Sequence, residues 1–270
     1  MGAEGTLGRA ICIAVLACLC GGVSSEAFAA VAFTFNPIIR DFHQTQTDFE
    51  ILDFGAQTPA AYFANDQTNK IEKGIVGPIG SSLGVDGLPV YSSIREPGFY
   101  NTVSSASSLA QWFADIPGTN VQVPNVALPF TDNGDGTYSY NNPNFFPIDG
   151  QGFGNEGNAH NQHFTAQIHQ LFTYAPGENF SIISDDDSWV FINHKLVIDA
   201  GGIHGTLGGT INLDTLALAA GGVYDMDIFF ADRNRYGAAM IMTTNFVPVP
   251  EPGAMSLILG TFLLGLARRK

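Results

Sequence analysis

This chain predicts an all-β fold, a sandwich or barrel with long loops and one short helix, on three observations. Short apolar runs are punctuated by Gly, Pro, Asn and Asp, with 31 glycines and 14 prolines among 270 residues, the pattern of strands joined by turns. Helical periodicity is scarce. Twenty-one phenylalanines supply enough apolar bulk for a substantial core.

At the N-terminus, Arg9 precedes an apolar run from Ala10 to Val23, then a small-polar stretch ending Ala27-Phe28-Ala29. A basic flank, a short apolar segment and an A-x-A site predict a secretory signal over residues 1–29, cut by signal peptidase after Ala29. Cys12, Cys18 and Cys20 all fall in it, so the processed chain is expected to hold no disulfide. Residues 30–246 then read as one β domain. Its expected strands are Ile38–Phe42, Tyr138–Tyr140, Phe164–Tyr174, Asn179–Ser184, Ser188–Asn193, Lys195–Asp199, Gly209–Leu213, Val223–Ala231 and Ala239–Asn245. The helix is expected within Asn101–Ala114, where Ser and Thr are available as N-caps. The irregular stretch Asp53–Pro97 reads as loops built onto the sandwich.

The run Ser184–His204 holds three consecutive acids, Asp185, Asp186 and Asp187, between two apolar β-like runs. Adjacent like charges repel, and partial burial disfavours their ionised forms. A hard cation with several oxygen ligands reverses that penalty, and Ca²⁺ is the usual candidate. A solvated acidic turn is the competing reading. Trp189-Val190-Phe191-Ile192 is apolar on both faces, which predicts a central strand. Asn193-His194 then reads as a two-residue turn into Lys195–Ile198, with Asn suited to positive φ.

The tail, residues 247–270, contains Pro250-Glu251-Pro252, an apolar segment Gly253–Ala267, and Arg268-Arg269-Lys270. Fifteen apolar residues are short of the about 20 a span wants, and the basic end would sit on the cytoplasmic side. The triplet, short span and basic cluster resemble the PEP-CTERM sorting signal. That resemblance implies processing by an exosortase and transient membrane anchoring. It also implies secretion across the inner membrane to the envelope, outer surface or extracellular matrix of a Gram-negative bacterium. A formal net charge of −14 argues against nucleic acid and anionic membrane surfaces as partners, while its field attracts divalent cations.

Ser184–Asn193, followed by Lys195–Asp199 and Gly201-Gly202-Ile203-His204, resembles the fibro-slime domain signature. That family belongs with the PA-fourteen β-sandwich domains. Further matches are Ile39–Phe42 with Asp48–Glu50, Asp86–Tyr91, His160–Phe164 and Phe229–Arg233. The resemblance implies a PA-fourteen-like sandwich in which two successive aspartates, joined by a cis peptide, bind Ca²⁺ that holds vicinal hydroxyls of a glycan. Register places the pair at Asp185 and Asp186. Asp187 stands where the usual Gly falls, and either adds a ligand or caps the turn. A second loop supplies more ligands in that family, and Asp232–Gly237 is the matching region. Asn234 is the expected ligand there and Asp232 a reserve, with Tyr236 offering an apolar face to a sugar ring. Trp189 reads as core.

Other constellations are weaker. His160 and His163 read as opposite faces of a strand, and His163 and His169 as too far apart for one zinc ion. His204 reads as a hydrogen-bonded structural residue near the acids. Asp132–Thr137 has Gly134 where a calcium loop needs a ligand and no closing Glu, so it reads as a hairpin tip. The alternation of Asp225 and Asp227 with Met226 and Ile228 marks an outward polar face. The expected function is non-enzymatic: Ca²⁺-dependent adhesion to exopolysaccharide or surface glycan. The alternative is a structural matrix protein whose Ca²⁺ site binds no sugar.

Overall fold

The computed structural model describes residues 31–50, 79–92, 103–235 and 237–249. Two antiparallel sheets stack face to face. The six-stranded sheet runs in the order β1 (Val31–Phe35), β6 (Leu128–Asp132), β7 (Tyr138–Asn142), β14 (Ala239–Thr244), β9 (Asn179–Asp185) and β12 (Leu207–Asn212). The nine-stranded sheet begins with β4 (Pro89–Tyr91), β3 (Ile79–Leu83), β11 (Lys195–Ala200) and β10 (Asp187–Ile192). It continues with β13 (Val223–Asp232), β8 (Phe164–Thr173), β2 (Ile38–Phe42) and β5 (Asn120–Val123), while β15 (Pro248–Val249) pairs with β8.

Alternation along each strand builds the core between the sheets. Phe130, Phe180, Ile182, Met240 and Met242 from one sheet meet Ile168, Val190, Ile192, Ile228 and Phe230 from the other. The nine-stranded sheet is also covered on its outer face. Trp189, Phe191 and Phe229 pack there under Leu109, Trp112 and Phe113 of the helical segment, with Phe42 and Phe49. The helix α1 (Ala106–Trp112) is capped by Ser105, whose Oγ accepts the Ser108 N–H at 3.1 Å. Two-sided cover explains why every residue of β10 is buried and why its sequence lacks alternation.

All nine expected strands form, with ends shifted by a residue or two, and the helix occupies the middle of its expected stretch. The turn at Asn193-His194 has positive φ at both residues (51° and 63°), as a two-residue hairpin requires. Four differences stand out. Residues 79–92, read as loop, form the β3–β4 hairpin. β1, β5 and β6 are short strands that the turn residues around them obscured. His160 and His163 both precede β8 rather than lying on it. Pro248 and Val249, assigned to the tail, pair with Phe172 and Leu171. The segments 1–29 and 250–270, with the signal site, Pro250, Glu251, Pro252, Arg268 and Arg269, lie outside the described residues.

Strand β12 approaches its neighbour closely through Gly208. A Cβ at that position would collide with the Ile182 carbonyl, a backbone group with no rotamer to yield. Gly208→Ala is therefore expected to cost about 1–3 kcal/mol by forcing β9 and β12 apart, read as a lowered urea midpoint with unchanged slope.

Candidate metal centre

Two crossovers between the sheets lie side by side at one end of the sandwich. Strand β9 ends at Asp185, paired to Ala239 in one sheet, and β10 begins at Asp187, paired to Ala231 in the other. Asp186 is thus the point where the chain changes sheets. Strand β13 ends at Asp232 and the chain returns through residues 233–238 to β14. The peptide bond between Asp185 and Asp186 is cis.

The three acids have different surroundings. Asp187 is fully buried and bound at both oxygens. Arg233 Nε donates to its Oδ2 (2.6 Å), Arg233 Nη2 to its Oδ1 (3.0 Å), and the Gly202 N–H also to Oδ1. Asp186 accepts the His204 N–H at Oδ1 (2.8 Å) and the Arg233 N–H at Oδ2 (3.2 Å), leaving lone pairs on each oxygen. Asp185 is partly exposed and faces the second loop, where a Cβ on Gly237 would stand 3.2 Å from its Oδ2. That second loop adds Asp232, fully buried with no hydrogen bond at either oxygen, and Asn234, 2% exposed.

Electrostatics follow from this crowding. Burial pushes Asp185 up to about 7. It pushes Asp186 well above the carboxylate range; the charges of Asp185 and Asp187 add to the shift, and Arg233 and the His204 N–H oppose it. Asp232 rises for the same reason, burial first and then the charges of Asp186 and Asp185. Burial lowers His204, favouring its neutral form, and its ring nitrogens meet the carbonyls of Ala200 and Gly205. Arg233 is the organising cation. It also lies 4.7 Å from the Trp112 ring centroid and donates to the Asp48 carbonyl.

These groups fit a hard cation in charge, oxygen chemistry and burial. Among the described residues, no three His, Cys, Asp or Glu side chains close into a ready ligand set, so an ion here would also need Asn234 and backbone carbonyls. Asp187, read as an added ligand or a turn cap, has both oxygens engaged by Arg233 and one also by the Gly202 N–H, because its side chain meets the guanidinium arriving from the neighbouring crossover. Tyr236 lies outside the described residues. Trp189 is core, and Asp132–Thr137 forms the β6–β7 turn, where Asp132 and Asp135 accept the backbone N–H groups of Gly134 and Thr137. His163 pairs with Glu50 (2.9 Å) and His169 with Asp227 (2.7 Å).

The role of Arg233 was missed in the sequence, as was that of Asp41 on β2. Asp41 accepts the Phe153 N–H (2.5 Å) and holds the 150–163 loop against the sheet. Burial raises its pKa to about 6 from 3.8, against the hydrogen bonds of Phe153 and Asn161. Between those values the folded protein keeps a proton that the unfolded chain releases. Stability from this group is therefore full below about pH 4 and falls as pH rises through about 6. Asp41→Asn is expected to flatten that limb by on the order of 2 kcal/mol, measured as urea midpoints from pH 4 to 7.5.

Residues 137–249 match the PA14 domain family model. The fold is PA14-like. That span carries both crossover loops and every strand flanking them. Among curated proteins the chain is similar to protein psiD of Dictyostelium discoideum, 37% identical over 236 residues, 83% of this chain and 42% of psiD. It is also 40% identical over 178 residues to protein psiQ of the same organism, covering 61% of this chain and 17% of psiQ. The chain thus spans less than half the length of these relatives. Among solved structures, the PA14 sugar-binding domain from RTX adhesin is 16% identical, with TM-score 0.25, covering 33% of this chain and 52% of that one. The PA14 domain of MpAFP antifreeze protein is 12% identical, with TM-score 0.24, covering 40% and 63%.

These comparisons correct the expected location. The psi proteins come from a eukaryote, which overturns the reading of a Gram-negative envelope protein. The ground for an exosortase partner and for membrane anchoring goes with it. No helix among the described residues is long and apolar enough to cross a membrane.

Proposed function

We propose that this chain is a Ca²⁺-dependent carbohydrate-binding module of the fibro-slime type, acting by adhesion and not by catalysis. The observation that carries this reading is the Asp232 carboxylate, fully buried without a hydrogen bond and flanked by the raised acids Asp185 and Asp186. Such a cluster is costly without a compensating cation. Asp185, Asp186, Asp232 and Asn234 would hold the ion, and Asp187 with Arg233 braces the loop that presents them. Bound Ca²⁺ takes 6–8 oxygens in flexible geometry, so vicinal sugar hydroxyls can replace its waters. Because Asp187 is turned into Arg233, it does not close the site. That favours a glycan-accessible ion over a purely structural one.

The test is a glycan array titrated with Ca²⁺, run on the full chain and on Asp186→Ala. Retention of glycan should rise with Ca²⁺, reverse with EDTA and vanish in the variant. Glycan binding unchanged by Ca²⁺ removal sinks the proposal. Stabilisation by Ca²⁺ with no glycan retained supports the structural-ion alternative.

A further inference from the structure

Beside the metal centre lies a cavity of about 450 Å³, lined by Phe146, Asn158, His160, Gln162, Arg235 and Gly237. Its size falls within the roughly 300–1,000 Å³ of small-ligand pockets. Gly237 is the shared wall, since a Cβ there would touch Asp185 Oδ2. One wall of the cavity therefore abuts the Asp185 carboxylate.

Its lining has a definite chemical bias. None of the described residues lining it is acidic, in a chain where acids outnumber Lys and Arg by 25 to 11. Arg235 is 42% exposed at its side chain and is steered by Glu50, whose Oε1 lies 3.2 Å from Nε. Guanidinium has five N–H donors in a planar fork, so contact at Nε leaves the terminal nitrogens for a ligand. The Asn158 side-chain nitrogen is buried and donates to no atom, a deficit that an incoming acceptor would relieve. Phe146 and His160 stack in parallel at 3.8 Å and 3°. Asp149, 2.7 Å from His160 Nδ1, orients that ring. The outer face of the stack offers one flat aromatic surface suited to a pyranose face.

We infer that this cavity selects an anionic saccharide, one whose carboxylate or sulfate meets Arg235 and Asn158 while its ring packs on the outer face of the Phe146–His160 stack. Arg pairs with planar oxyanions by parallel, charge-assisted hydrogen bonds. Asp185 at the Gly237 wall repels an anion until a cation neutralises it, so acid binding requires Ca²⁺. The inference rests on the carbohydrate reading for the sugar ring and adds the charge class of the ligand.

The experiment is calorimetric titration of the full chain in Ca²⁺ with four probes. These are an oligouronate, its carboxyl-reduced counterpart, a sulfated oligosaccharide and its desulfated counterpart. At least one acidic probe should bind tenfold or more tighter than its neutral partner. Whichever pair shows the gap identifies carboxylate or sulfate as the recognised group. Arg235→Gln should erase the gap. Asn158→Asp, nearly the same shape, should reverse it and serves if Arg235→Gln does not fold. Equal binding of acidic and neutral probes by the wild type, or a preference that survives both variants, overturns the anion assignment and leaves the carbohydrate reading standing. Failure of all four probes to bind overturns both.

Discussion

Millimolar Ca²⁺ should raise the melting temperature of this protein by about 5–10 °C, and Asp232→Asn should abolish that gain while stabilising the metal-free form. In the apo protein at neutral pH, Asp232 must either remain charged without a hydrogen bond or take up a proton at a pH where the unfolded chain holds none. Both options cost stability, and the charges of Asp185 and Asp186 deepen the cost. An ion bound only by the folded state at 100-fold excess over its Kd contributes about 2.7 kcal/mol. For a domain of this size each kcal/mol moves the midpoint by about 2–4 °C. Asp232→Asn removes one negative charge at nearly constant volume, so in EDTA it should melt above the wild type. In Ca²⁺ the order should invert, because the variant has lost a ligand. Differential scanning calorimetry of both proteins, with and without EDTA, checks the crossover. A wild type indifferent to Ca²⁺, or a variant that melts lower in both buffers, would contradict it.

Much of this site was legible because its signals are local. Three consecutive acids between apolar runs, a two-residue turn at Asn193-His194, and a strand apolar on both faces are each visible within ten residues. Each corresponds to a physical feature of the fold. The β10 strand shows no alternation because α1 and its neighbours cover the sheet's second face. What stayed hidden depends on pairing between distant segments. Nothing near Asp187 indicates that a guanidinium 46 residues away will meet it. That contact exists because β9–β10 and β13–β14 change sheets at adjacent points. Asp41 was hidden in the same way, since its partner Phe153 lies 112 residues further on. The β5, β6 and β15 strands are short, two of them carry a proline, and they gain their order from neighbours already in place.

Breaking the Arg233–Asp187 pair should be the most destabilising side-chain change in the site. Arg233→Met is expected to cost about 3–5 kcal/mol, because it leaves Asp187 charged in a fully buried position with no opposing cation and only the Gly202 N–H as partner. That corresponds to a fall of roughly 6–20 °C in the melting temperature. The pair is also the brace between the two crossover loops. Arg233 grips Asp187 through its side chain and Asp186 through its backbone N–H, and it rests on Trp112. Losing the side chain should therefore weaken Ca²⁺ binding without removing a ligand. The double variant Asp187→Leu/Arg233→Met tests the argument, since replacing both charges leaves neither ion uncompensated. It should recover most of the stability lost in the single variant, giving a coupling energy of about 2 kcal/mol or more in a double-mutant cycle. Its Ca²⁺ affinity should nonetheless remain reduced, because apolar packing restores the core but not the directional side-chain hydrogen bonds from Arg233 to Asp187 that tie the two crossover loops together. Additive losses in the cycle, or full recovery of Ca²⁺ affinity in the double variant, would show that the pair stabilises the fold without positioning the site.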